Sequence, residues 1–183
     1  MHGLLFSELK KFVVSKLGAD SWNKLLVEAG LASKIYMPNQ TYSDEELVRL
    51  VTTASRMTGI PVADLEEAFG EFIAPELLKL YSTQINPAWR TLDVVEKTET
   101  FVHRAVRLKV PGADPPRLST TRPDPQTVIL QYTSARKLCP VAIGIIKGTA
   151  RTLNETVSVE QDECMLRGDA RCLITTRLVK GSR

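Results

Sequence analysis

The sequence predicts an α+β fold, with a helical N-terminal part and a C-terminal part in which antiparallel strands are mixed with helices. Three observations carry this. Apolar residues recur at helical spacing through roughly the first 80 positions. Two later stretches, 127–130 and 172–179, are rich in β-branched and aliphatic residues. The strands of the second half follow one another closely in the chain, which favours antiparallel pairing.

The elements read as follows. Leu4, Leu5, Leu9, Phe12, Val13 and Leu17 form a helical stripe ending at the C-cap Gly18. Asp20-Ser21 can cap a second helix bearing Trp22, Leu25, Leu26 and Ala29. Residues 32–41 have no clear period, contain Pro38-Asn39 and read as loop. Ser43-Asp44-Glu45-Glu46 is a capping-box pattern, and the helix it starts carries Leu47, Leu50, Val51 and Ala54 up to Gly59. Pro61 opens a segment to Leu80 with Phe69, Phe72, Ile73 and Leu77 on its apolar face. Pro75 inside it is expected to kink or break the helix. Residues 92–106 read as a helix that fades near Pro111-Gly112. Five prolines between 111 and 125 predict an extended stretch with turns. A strand over 126–136 follows, and then a helix opened by Pro140 with Val141, Ile145, Ile146 and Ala150. Thr156–Val159 alternates and reads as a strand, Cys172–Val179 reads as another, and Gly168-Asp169 as a turn between them makes the pair a hairpin. Lys180–Arg183 reads as a frayed tail.

At 183 residues the chain fits one domain with room for two lobes, and 43% hydrophobic residues supply a sizeable core. The net charge is only +3, with both signs interleaved and no basic run carrying aromatics, which disfavours nucleic acid. No apolar stretch approaches the ~20 residues needed to cross a bilayer. The first 17 residues mix Lys10, Lys11 and Lys16 with apolar positions and lack the order of a signal peptide. Three cysteines do not suggest a secreted disulfide framework. Together these features make the cytoplasm the default location.

The chemistry concentrates in Gln131-Tyr132-Thr133-Ser134-Ala135-Arg136. In a strand, Tyr132, Ser134 and Arg136 share one face. That row of phenol, hydroxyl and guanidinium suits a carboxylate or phosphate, although Y-x-S-x-R alone equally describes a solvated strand edge. The chain has two histidines, His2 and His103. A lone helical histidine is more often a surface or core residue than a ligand. Here Pro115-Pro116 and then the Tyr/Ser/Arg strand follow it, with Pro116 at 13 positions from His103. This order, with Met1-His2-Gly3 before it and Gly144-Ile145-Ile146-Lys147-Gly148 after it, resembles the heme-nitric oxide/oxygen binding (H-NOX) family. That family includes the sensory domain of soluble guanylate cyclase. The resemblance covers nearly the whole chain.

The resemblance implies a helical distal subdomain, here 1–62, and a proximal α/β subdomain, here 63–183, with heme b between them. It implies His103 as the proximal iron ligand, Pro116 pressing on the porphyrin, and Tyr132, Ser134 and Arg136 holding the propionates. Oxygen-binding members carry a tyrosine at the start of the helix after the propionate strand. The corresponding position, five after Arg136, is Val141, which has no donor, and Leu5 and Leu9 on the distal side are apolar too. Bound oxygen needs such a donor, whereas nitric oxide and carbon monoxide depend on it less. The pocket therefore reads as selective for nitric oxide. No kinase, cyclase or phosphate-loop motif is present. The expectation is a non-catalytic bacterial sensor in which nitric oxide weakens the iron–His103 bond. The resulting change would be read by a separate protein, a histidine kinase or a cyclic-di-GMP enzyme.

Cys139, Cys164 and Cys172 form a second constellation. C-x7-C is a weak zinc signal, and buried structural thiols are the plain alternative. Some bacterial H-NOX members hold zinc with three cysteines and a histidine. Here the position three before Cys164 is Gln161, which leaves the fourth ligand in question. A hairpin would bring Cys164 and Cys172 together, making them the expected pair on oxidation. A heme-free domain switching through zinc or thiols is thus the alternative function. A heme enzyme such as a peroxidase would need a distal acid–base pair, for which His2 is the one histidine candidate.

Overall fold

The N-terminal apolar stripe folds as α1, Gly3–Leu17, and ends at Gly18, whose φ of 93° suits a residue without Cβ. The computed structural model describes residues 3–109 and 112–179, so the expectations for Met1-His2, Val110-Pro111 and Lys180–Arg183 lie outside the described residues. The chain divides into two compact units, Met1–Phe69 and Gly70–Arg183.

In the first unit, α2 spans Ser21–Glu28 and buries Trp22, Leu25 and Leu26. Asp20 makes no side-chain cap, and the Ser21 hydroxyl donates instead to the Gly18 carbonyl at 2.5 Å. α3, Asp44–Thr58, is capped by Ser43, whose Oγ accepts from Glu45 N. The reciprocal half of the capping box does not form. Glu46 turns to the preceding loop and accepts from Tyr36 Oη at 2.7 Å and Lys34 Nζ at 2.9 Å. Tyr36 in turn stacks on Phe6 with ring centroids 4.3 Å apart. The loop over 32–41, periodless in sequence, is therefore anchored by side chains.

α4 runs unbroken through Val62–Leu80, with Pro75 inside it. Pro75 cannot donate to the carbonyl of Glu71, one turn back. That carbonyl lies against Gly148, where an added Cβ would sit 2.6 Å from it. Gly148 thus gives the orphaned carbonyl room for a close backbone approach, which helps an interior proline to be tolerated.

The second unit is built on a four-stranded antiparallel sheet in the order β1-β2-β4-β3, with β1 Arg117–Asp124, β2 Thr127–Thr133, β3 Val157–Glu163 and β4 Cys172–Leu178. The β3–β4 hairpin is the predicted one, with β3 longer than its sequence signal. Within the proline-rich stretch, read from the sequence as extended with turns, β1 forms a paired strand. Leu118-Ser119-Thr120-Thr121 pairs with β2, and Pro123 is tolerated because β1 is an edge strand. One continuous helical path crosses the sheet: α5, Thr91–Thr98, then a π-helical turn, Glu99–His103, then α6, Arg104–Lys109. α7, Cys139–Thr152, follows β2. Leu92 and Val95 of α5, Val128, Leu130 and Tyr132 of β2, Ile146 of α7 and Ile174 of β4 form the core. The architecture is the α+β arrangement read from the sequence.

Candidate functional site

His103 closes the π-helical turn, where the amide of Arg104 bonds to the Glu99 carbonyl five residues back. Such one-turn π insertions re-aim side chains within a helix and are frequent at functional positions. The His103 side chain is 15% exposed, and its Nδ1 lies 3.1 Å from Glu99 Oε2. Burial pushes the His103 pKa below the usual histidine value. The Glu99 carboxylate, and to a smaller extent the Pro116 backbone, pull the other way without overcoming it. The ring is therefore neutral near pH 7, and its contact with Glu99 is a hydrogen bond rather than an ion pair. Glu99 stays ionised despite its own burial, because Arg107, His103 and the Leu118 amide all bond to it. Arg107 Nη1 lies 2.7 Å from Oε1, and Leu118 N lies 3.1 Å from Oε2.

The Tyr132, Ser134 and Arg136 group is brought together differently from the sequence reading. β2 ends at Thr133, so these side chains are not aligned by a common pleat. Ser134 to Arg136 lie in the turn beyond the strand, which Lys137 leaves at a φ of 53°. Tyr132 is buried, and desolvation pushes its phenol up to about 12, while a hydrogen bond with Ser134 and the nearby Arg136 pull it down. The Arg136 amide donates to Ser134 Oγ at 3.3 Å, and its guanidinium donates to the Asp114 carbonyl. The β1–β2 register pairs Leu118 with Tyr132, which sets Pro116 beside the same end of β2. Arg107 Nη2 donates to the Pro116 carbonyl at 3.2 Å. His103, Pro116, Tyr132, Ser134 and Arg136 are thereby gathered around one end of the β1–β2 pair. Val141 is half-buried on α7 of this unit, and Leu5 is half-buried on α1 of the first unit. Glu99 and Arg107 are part of this site but were missed in the sequence. The signal that could have found them is helical spacing, with Glu99 four residues before His103 and Arg107 four after it.

The three cysteines converge. Their sulfurs lie within 4.8 Å of one another, and all three side chains are buried. Cys139 Sγ lies 3.7 Å from Cys164 Sγ, and Cys172 Sγ accepts from the Met165 amide at 3.2 Å. Burial pushes the Cys139 thiol up to about 12. Burial acts the same way on Cys164, but the Leu166 and Arg167 amides and the neighbouring thiols outweigh it and hold Cys164 below the usual thiol range. Gln161 faces this cluster. Its amide is directed at Cys139, and its buried Nε2 has no well-formed hydrogen bond. A register shift between Gln161 and Glu163 interrupts β3 at this point, and such bulges re-aim strand side chains.

A neutral, largely buried imidazole together with a proline and a tyrosine–serine–arginine donor set has chemistry suited to an iron porphyrin with acidic side arms. Comparison with known proteins identifies the family. Residues 2–161 match the family described as Haem-NO-binding. Soluble guanylate cyclases gcy-35 and gcy-37 of Caenorhabditis elegans are 27% and 26% identical over 85% and 84% of this chain. The chain spans only 23% and 22% of those relatives. Among solved structures, an H-NOX protein from S. oneidensis in the Fe(II)NO state superposes with a TM-score of 0.91 at 24% identity, covering 98% of this chain and all of that one. The Fe(II) unliganded H-NOX protein from K. algicida gives 0.90 at 19% identity, covering 100% and 99%. The chain belongs to the Haem-NO-binding family and is an H-NOX domain. It is accordingly a heme-based gas-sensing domain rather than a catalytic one. No helix among the described residues is long and apolar enough to cross a membrane.

Proposed function

We propose that this chain binds heme b through His103 and senses nitric oxide at the ferrous iron. The observation that carries the reading is the neutral, largely buried His103 imidazole, held at Nδ1 by Glu99 and next to the Pro116 backbone. With Nδ1 engaged, Nε2 is the ring nitrogen for iron. A bound heme supplies one open iron position for a diatomic gas and two carboxylates to be neutralised. Arg136 would offer the charge for those carboxylates, Tyr132 and Ser134 would add hydroxyl donors, and Pro116 would help to hold the porphyrin. Neither Val141 nor Leu5 has a side-chain donor for bound oxygen, whereas nitric oxide and carbon monoxide depend on one less. Residues 1–62 are the distal part and 63–183 the heme-carrying part in this proposal. The output passes to a separate partner in a bacterial cytoplasm, a histidine kinase or a cyclic-di-GMP enzyme. Cys139, Cys164 and Cys172 hold zinc, with Gln161 or water completing the shell.

One experiment tests the core of this. The ferrous protein should show a heme absorption band that nitric oxide changes and that air does not convert to a stable oxygen complex. His103→Gly should lose heme unless imidazole is supplied. An unchanged ferrous spectrum in that variant would overturn the assignment of His103. A second reading, a heme-free thiol switch, rests on the three convergent sulfurs. Protein with no heme band and reversible loss of free thiols would favour it.

A further inference from the structure

We propose that Glu99 is the positioning residue of the site, setting both the tautomer of His103 and the strength with which that ring donates to iron. The inference rests on the heme reading of His103 given above. One carboxylate joins three elements: Oε2 meets His103 Nδ1 and the Leu118 amide of β1, and Oε1 meets Arg107 Nη1 of α6. Packing alone could hold the ring in place, but it could not choose which nitrogen carries the proton. An anionic acceptor at Nδ1 does choose: the proton sits on Nδ1 and the lone pair on Nε2. The same bond raises the basicity of the opposite nitrogen.

The carboxylate is not a free charge. Arg107 neutralises part of it, and so tempers the pull on the Nδ1 proton. Glu99 and Arg107 therefore act on His103 in opposite directions. The Leu118 amide adds a mechanical link. Leu118 pairs with Tyr132, so the carboxylate that orients the ring also bonds the start of the strand beside the Tyr132–Arg136 turn. A tilt of the His103 ring acts on β1 through this one side chain.

The test compares the wild-type protein with Glu99→Gln and Arg107→Ala. Glu99→Gln is nearly isosteric and keeps a weaker neutral acceptor. In the ferrous heme-loaded protein it should move the iron–histidine stretching band to lower wavenumber and speed heme loss about tenfold, the low end for removal of such a supporting partner. Arg107→Ala should move the band the other way. A merely structural role for Glu99 would not shift the band with opposite signs in the two variants. Nitrogen NMR of His103 in heme-free protein provides an independent readout. Wild type should be protonated at Nδ1, and Glu99→Gln should give a mixture of tautomers. If His103→Gly loses heme as expected while Glu99→Gln leaves band and tautomer unchanged, the role of Glu99 is overturned and the heme reading stands. If His103→Gly is spectrally unchanged, the heme reading fails, and the heme-free tautomer still decides the role of Glu99. A wild-type ring protonated at Nε2 would overturn it.

Discussion

In each of the two clusters of the second unit one side chain faces the others. Around His103 it is Glu99, whose carboxylate meets His103 Nδ1, Arg107 Nη1 and the Leu118 amide. At the thiol cluster it is Gln161. Three sulfurs within 4.8 Å give most of a tetrahedral zinc shell, and Gln161 faces them with a neutral amide whose Nε2 lacks a well-formed hydrogen bond. Structural zinc is normally four-coordinate, and an amide oxygen is a poorer ligand than imidazole. Gln161→His should therefore tighten zinc binding by about tenfold or more, given that a full site releases on the order of 10–16 kcal/mol over four ligands. Competition with a chromophoric chelator measures this, and equal affinity in the two proteins would show that position 161 does not reach the metal. The structure also changes the expectation for oxidation. Cys139 and Cys164 lie at 3.7 Å, so the predicted Cys164–Cys172 pair has a competitor.

At the scale of elements, α5 leads into the π-helical turn that holds Glu99 and His103, and is fixed at its start by a residue from a distant connection. Glu155 accepts from the Thr91 amide at 2.8 Å and from Arg90 Nε at 3.0 Å, and its side chain is only 7% exposed. Burial opposes its ionisation, but the bonds from Thr91 and Arg90 outweigh that and hold it below the usual carboxylate range. Glu155→Gln should cost about 1–2 kcal/mol at neutral pH, since Arg90 is half-exposed and solvent screens its share. The sign of the pH dependence follows from the lowered value. The stabilisation is complete above the ordinary carboxylate pKa of about 4.3 and fades as pH falls through the folded value. Denaturation of wild type and variant should thus converge in acid, and a constant gap down to the lowest pH would refute the role. The elements also differ in how legible they were. α1 and α3 show their period and caps in sequence. β1 hid behind five nearby prolines, because a proline is harmless on an edge strand, and edge status belongs to the sheet. The π-helical turn has no signal in a periodicity built on 3.6 residues.

On the scale of the whole molecule, α4 is the helix within which one compact unit gives way to the other. Its second half packs on α7 through residues without bulk. A Cβ at Gly70 would run into the Val141 carbonyl, and a Cβ at Gly148 would lie 2.6 Å from the Glu71 carbonyl and 2.7 Å from Ala74 Cβ. Backbone cannot yield as a flexible side chain does. Gly148→Val should destabilise the protein by about 1–3 kcal/mol, as overpacking does. The measurement is a lower urea midpoint at an unchanged slope. An unchanged midpoint would mean that the helices separate freely. If Val141 lines the gas site as proposed, the variant should also alter the spectrum of the gas complex, because both residues lie on α7.

The sequence by itself determined the α+β class, the helices, the β3–β4 hairpin and the spacing of His103, Pro116 and Tyr132 that points to the family. These rest on local periodicity and on residues near one another in the chain. Only the tertiary structure decided that Pro75 sits in an unbroken helix, that β1 is a strand, that the three thiols meet and that Glu99 serves His103, Arg107 and Leu118 at once. Each of these depends on a partner supplied by another element. A carbonyl needs an open glycine opposite it, an edge needs a neighbouring strand, and a carboxylate needs three donors that only the folded chain brings within hydrogen-bonding distance.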